Sequence, residues 1–76
     1  SARLLTVWFE LSSSAPARLE VLDLAGRRVA RREVGSFGPG RHSVDLAGGA
    51  GLSPGVYVLR LTQGMIRHTA RVAVLD

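Results

Sequence analysis

The sequence predicts an all-β fold, a small antiparallel sandwich of six to seven short strands, from three observations. Apolar and polar residues alternate with period two in several short windows, as in "LLTVWFEL" and "ARLEVLDL", which is the pattern of strands with one buried face. Turn formers separate these windows at intervals of about eight to twelve residues, the spacing of a compact sandwich. No window carries apolar residues at three- and four-residue spacing over a useful length, and nine glycines and three prolines interrupt every candidate helix.

The elements follow in order. Residues 4–11 set Leu5, Val7, Phe9 and Leu11 against Thr6, Trp8 and Glu10, a first strand with Trp8 outward. "SSSAP" turns the chain, because Pro16 cannot continue a ladder and the serines bond nearby backbone. In the second strand Leu19 and Val21 point one way, Arg18 and Glu20 the other. "DLAGRR" predicts a tight hairpin, with Gly26 at positive φ and Asp23 accepting backbone amides across the turn. The third strand, "RRVARREV", has few apolar residues (Val29, Ala30, Val34) and reads as an edge guarded by charge. After "GSFGPG", a short fourth strand "RHSVDL" puts His42, Val44 and Leu46 on one side. "AGGAGLSPG" is the longest loop. The fifth strand, "VYVLRL", has Arg60 outward and Tyr57, Leu59 and Leu61 inward. "TQGM" is a turn, and "IRHTARVAVL" closes the fold with Ile66, Ala70, Val72 and Val74 inward.

Size and composition narrow the function. With 76 residues and no cysteine, residues 1–76 form one domain that buries only roughly 60% of its unfolded surface. Little interior is left for a deep pocket, and neither a self-contained enzyme nor a cofactor is expected. Disulfides make no contribution, and no signal peptide is seen in this piece. The start at Ser-Ala-Arg suggests a domain cut from something longer. All ten basic residues are arginines and the net charge is +4. Because they are scattered, with one cluster at Arg27, Arg28, Arg31 and Arg32, nucleic acid is not the expected partner.

Candidate catalytic chemistry is sparse. His42 and His68 are single imidazoles in predicted strands, expected half-buried and bonded to backbone instead of ligating a metal. Ser12, Ser13 and Ser14 are turn formers. Glu10, Glu20, Glu33, Asp23 and Asp45 are dispersed and read as solvated strand faces or turn caps, without the paired carboxylates of a glycosidase. The glycines at 48–55 precede a strand and lack the lysine of a phosphate loop. Trp8, outward on the first strand, is a candidate for stacking on a sugar ring.

One resemblance covers nearly the whole chain. Asp23, Gly26, Arg27 and Val29, then Gly40 and His42, then Leu52, Gly55, Val56, Tyr57 and Leu59, and finally Arg71, Val72 and Val74 occur in the order and spacing of the type A C-terminal sorting domain of the type IX secretion system. The immunoglobulin-like domain of the flagellar hook-capping protein shares much of the pattern, so the motifs specify an immunoglobulin-like or fibronectin-like sandwich more firmly than export. Two features depart from the family. The chain starts too late to show its Asn-Pro step, and the final basic residue is arginine where lysine is frequent.

The resemblance implies the C-terminal domain of a larger secreted protein, a non-catalytic signal for type IX export. Its implied partners are an outer-membrane translocon and a sortase-like processing protease, with attachment of the cargo to a surface glycolipid. The implied route runs through the periplasm to the outer-membrane surface or beyond the cell. Recognition is expected on the last strand, from Arg67 to Leu75, with Arg71 outward, and at the Gly55-Val56-Tyr57 corner. The alternatives are an accessory carbohydrate-binding module, through Trp8, and a structural immunoglobulin-like module of a secreted enzyme.

Overall fold

The structure, a computed structural model, describes residues 5–46 and 52–74. The six strands are β1 (Leu5–Leu11), β2 (Ala17–Asp23), β3 (Arg28–Glu33), β4 (Gly40–Leu46), β5 (Gly55–Gln63) and β6 (Ile66–Val74), with one 3-10 turn at Gly35–Phe37 before β4. Two antiparallel sheets pack as a β-sandwich: β1 pairs with β4, and the other four strands run in the order β3-β2-β5-β6. The "AGGAG" part of the predicted long loop, residues 47–51, and the end of the predicted last strand at Leu75 lie outside the described residues.

Alternation along each strand builds the core. Val7, Phe9 and Leu11 of β1 and Val44 and Leu46 of β4 face Ala17, Leu19, Val21, Tyr57 and Val74 of the larger sheet, joined by Val34 and Leu52 from the connections. Leu19, Val21 and Val34 are the largest side chains that lose essentially all contact with water, and burying each contributes roughly 1.5–3 kcal/mol.

Connections set the registers. Across β2 and β3 the Asp23 and Arg27 backbones close the hairpin, and Gly26 takes the expected positive φ of 87°. A bulge between Val21 and Leu22 shifts the pairing so that Leu22 stands opposite Arg28. The β5–β6 hairpin is tighter than the sequence suggests. Gln63 pairs directly with Ile66, so Gly64 and Met65 alone form the loop and β5 runs two residues past the predicted end at Leu61. Gly64 takes φ 60° at the first loop position, the requirement of a type II′ turn.

The extension of β5 has a physical reason. Gln63 is buried and its amide nitrogen donates to the carbonyls of Ser13 and Ala15 at 3.1 and 2.9 Å, tying the β1–β2 connection to the end of β5. Glu33 anchors the same region from the other side, accepting the Ala17 and Gly35 amides at 2.9 and 3.0 Å.

The smaller sheet covers only part of the larger one. β4 approaches β3, which sets β1 toward β5 and leaves β6 at the margin. The inward expectation for the last strand therefore needs correction. Register does turn Ile66, His68, Ala70, Val72 and Val74 to the inner face, yet only Val74 is buried and Val72 half-buried, while Ile66, His68 and Ala70 are exposed. Pairing sets which way a side chain points; burial needs a strand above it, and none of the described strands lies there.

Gly35 is the tightest backbone contact in the molecule's described part. A Cβ placed there would stand 2.8 Å from the Ala15 carbonyl oxygen, the Ala17 nitrogen and the Pro16 Cα. We expect Gly35→Ala to lower the unfolding free energy by about 1–3 kcal/mol, because backbone on all sides must move. Urea denaturation checks this, and a variant as stable as the parent would refute the tight approach.

Candidate functional site

The motif residues fall into three structural groups. The first is the β2–β3 turn. Asp23 Oδ1 accepts the Ala25 and Arg27 amides at 3.0 and 2.8 Å, and Arg27 Nε donates to Asp23 Oδ2 at 2.9 Å. The Arg27 amide, with its side chain alongside, holds the Asp23 carboxyl below the ordinary aspartate value of 3.8 despite an opposing effect of burial. Asp23, Gly26 and Arg27 thus shape a hairpin, as the sequence suggests for the first two.

The second group surrounds His42. Gly40 opens β4 at φ 114°, and two residues on the half-buried His42 ring lies 2.7 Å through Nε2 from the Gly38 carbonyl, to which its N–H donates. Phe9 and Phe37 stack at 5.9 Å with His42 against both, and the Arg32 guanidinium lies 5.4 Å from the Phe37 ring centre. This is the expected backbone-bonded histidine. His68 differs: it is exposed, because it belongs to the uncovered inner face of β6.

The third group is formed by the pairing of β5 with β6. Gly55, Val56, Tyr57 and Val58 stand opposite Val74, Ala73, Val72 and Arg71. Two motif segments some fifteen residues apart in the chain thereby become one corner of the sheet. Its interior is structural: Tyr57 is buried and its hydroxyl donates to the Ser53 carbonyl at 2.7 Å, holding the "LSPG" turn against β5, while Val74 completes the core. A Cβ at Gly55, where φ is 157°, would meet only the Tyr57 ring at 4.0 Å. Its exterior is available to a partner. Val56 is 42% exposed, Arg71 is exposed, Arg67 is exposed at the far end of β6 opposite Thr62, and β6 ends its sheet with an open edge among the described strands.

Alternation on the outer face conceals the residue that sequence reasoning misplaces. Glu20, expected to be solvated, is 2% exposed. Its carboxylate lies beneath three guanidiniums: Arg60 Nη2 at 3.0 Å and Nε at 3.1 Å, Arg28 Nη1 at 3.3 Å, and Arg18 Nε at 3.7 Å. Arg60 stands directly across from it on β5, Arg18 lies two residues away on β2, and the bulge brings Arg28 within reach. Burial works to raise the Glu20 carboxyl, but the hydrogen bonds of Arg60 and Arg28 and the charges of Arg60 and Arg18 outweigh it and hold it below the ordinary glutamate value of 4.5. The long arginine stems are what exclude water here, and the only sequence signal was acid and base on one strand parity.

Trp8 is 77% exposed on the outer face of the smaller sheet, opposite Ser43 and near Glu10 and Arg41. No second aromatic shares that face among the described residues, so a sugar ring would have one stacking platform. Between β1 and β6 runs a shallow groove lined by Leu11, Leu61, Gln63, Ile66 and His68. Among the described residues no group of three or more histidine or acidic side chains is placed to hold a metal ion.

Because the folded-state values of Glu20 and Asp23 are lowered, their stabilisation is complete above 4.5 and 3.8, the unfolded values, and is lost as pH falls through the lowered ones. The melting temperature is expected to fall below about pH 4.5 more steeply in the parent than in Glu20→Gln. At neutral pH that variant loses about 2 kcal/mol, less than the ~3–5 of a fully enclosed pair because the arginine side chains stay 32–49% exposed. Thermal melts across pH measure both effects, and parallel acid limbs would sink the assignment. No protein-family model and no curated protein matches this chain.

Proposed function

We propose that this chain is a non-catalytic sorting domain of the type IX kind, read at the open edge of its four-stranded sheet. The observation that carries the proposal is the β5–β6 register, by which Gly55-Val56-Tyr57 and Arg71-Val72-Ala73-Val74 form one corner. These are the two motif segments that the resemblance marks for recognition. A partner reading this corner meets a strand that forms the sheet edge among the described strands, the arginine Arg71 and the partly exposed Val56, with Arg67 farther along the same strand. An extended segment of a translocon subunit can add to such an edge through main-chain hydrogen bonds.

In this reading the buried half of each motif keeps the corner in shape and the exposed half makes contact. The cargo is the protein to which the domain is attached. It passes through the periplasm to the outer-membrane surface, where a sortase-like protease removes the domain and the cargo is joined to a surface glycolipid.

Deleting the last strand would remove Val74 from the core, so point variants give the sharper test. Fused to the C-terminus of a periplasmic reporter in a type IX-competent cell, the 76 residues are expected to send the reporter to the surface. Arg71→Glu is expected to cut surface delivery about tenfold while leaving the fold intact, since one well-placed charged contact is worth about 1.5–3 kcal/mol. Surface proteolysis and fractionation report both. Periplasmic retention of the correctly folded parent fusion would overturn the reading.

A further inference from the structure

The net charge of the described residues resides on one surface. Directly paired residues in an antiparallel sheet share a face, so the registers place Arg28 and Arg31 of β3, Arg18 of β2, Arg60 of β5, and Arg67 and Arg71 of β6 together on the outer face of the four-stranded sheet. Against these six arginines the face carries two carboxylates, Glu20 and Glu33. Among the described residues the three other arginines, Arg27, Arg32 and Arg41, are matched by three other acidic residues, Glu10, Asp23 and Asp45, so their net charge of +4 belongs to this face.

Both carboxylates are already engaged. Glu20 lies buried under Arg18, Arg28 and Arg60 and aligns them. Each guanidinium has five N–H donors; Glu20 engages one or two of those of Arg28 and Arg60, and Arg18 stands at the ion-pair distance of 3.7 Å. Glu33 accepts the backbone amides of Ala17 and Gly35. The face thus presents preorganised guanidiniums at its centre and the exposed Arg31, Arg67 and Arg71 toward its two edges.

The arrangement discriminates among polyanions. The arginines occupy all four strands, a two-dimensional array roughly 15 Å across at the usual strand spacing, and a single linear chain would meet only one row of it. No aromatic residue lies on the face, so there is no stacking platform for single-stranded bases. None of the described elements projects from it as a helix that would enter a duplex groove. A planar array of anionic head groups matches a planar array of guanidiniums. At the end of the face, the partly exposed Val56 beside Ala73 supplies an apolar rim that can sit among those head groups.

We propose that the outer face of the four-stranded sheet, with its six arginines arrayed over β3, β2, β5 and β6, docks on an anionic lipid surface. This goes beyond the sorting role and does not depend on it. Arg31 lies on the opposite sheet edge from β6, so a change there separates lipid docking from recognition at the β6 corner.

The test is co-sedimentation of the purified 76-residue chain with phosphatidylcholine vesicles, with and without phosphatidylglycerol. The chain is expected to sediment only with the anionic vesicles, and less as salt is raised. Arg31→Gln, Arg67→Gln and Arg71→Gln, all exposed and outside the Glu20 cluster, should each weaken binding about fivefold. Arg41→Gln, on the other sheet, should leave it unchanged. Equal binding to neutral vesicles, no binding to anionic ones, or an Arg41→Gln loss equal to the others would overturn the proposal. So would tighter binding to duplex DNA or heparin than to anionic vesicles at equal charge concentration, which would assign the face to a linear polyanion.

Discussion

Contact between the apolar face of the β1–β4 pair and the inner face of the four-stranded sheet organises everything else in this molecule. Val7, Phe9 and Leu11 meet Leu19, Val21 and Tyr57, and from that contact follows which strands are interior and which are marginal. Two strands cannot cover four. β2 and β5 are paired on both sides, and β2 carries Leu19 and Val21, which lose essentially all contact with water. β6 lies beyond the cover and keeps most of its inner-face side chains in water.

Polar groups close the places where this packing alone would leave backbone unsatisfied. Gln63 and Glu33 hold the β1–β2 connection from opposite ends, the first through carbonyls and the second through amides. Both are side-chain to backbone contacts over long sequence separations, and they let a chain without disulfides fix its connections. Glu20 solves a different problem. Set among arginines on the outer face, it replaces mutual repulsion of like charges by shared attraction to a buried carboxylate, so the sheet tolerates a cationic surface.

The motif residues divide along the same line between shape and contact. Asp23, Gly26 and Arg27 make a hairpin; Gly40 and His42 belong to an aromatic cluster; Tyr57 and Val74 are core. Exposed on the outer face of the β5–β6 pair are Val56 and Arg71 at the corner and Arg67 at the far end of β6. The motif residues therefore include many that shape this sandwich and few that stay exposed. The exposed Arg71 also belongs to the outer arginine array, which extends across all four strands of the larger sheet.

Alternation of apolar and polar residues, together with the glycines and aspartate of the turns, by itself determined the six strands, their facing, the edge position of β3 and the β2–β3 hairpin. These are local properties, set by the period of an extended backbone and by which residues accept positive φ. Tertiary structure alone decided the rest. Ile66, His68 and Ala70 have the right parity for a core but no strand above them, whereas Glu20 has the parity of a solvent face and is buried by arginines from three strands. Gln63, in sequence a turn residue, becomes buried because the β1–β2 connection lies against it. In each case burial depends on what packs across the sheet, and a strand's own residues carry no record of its neighbours.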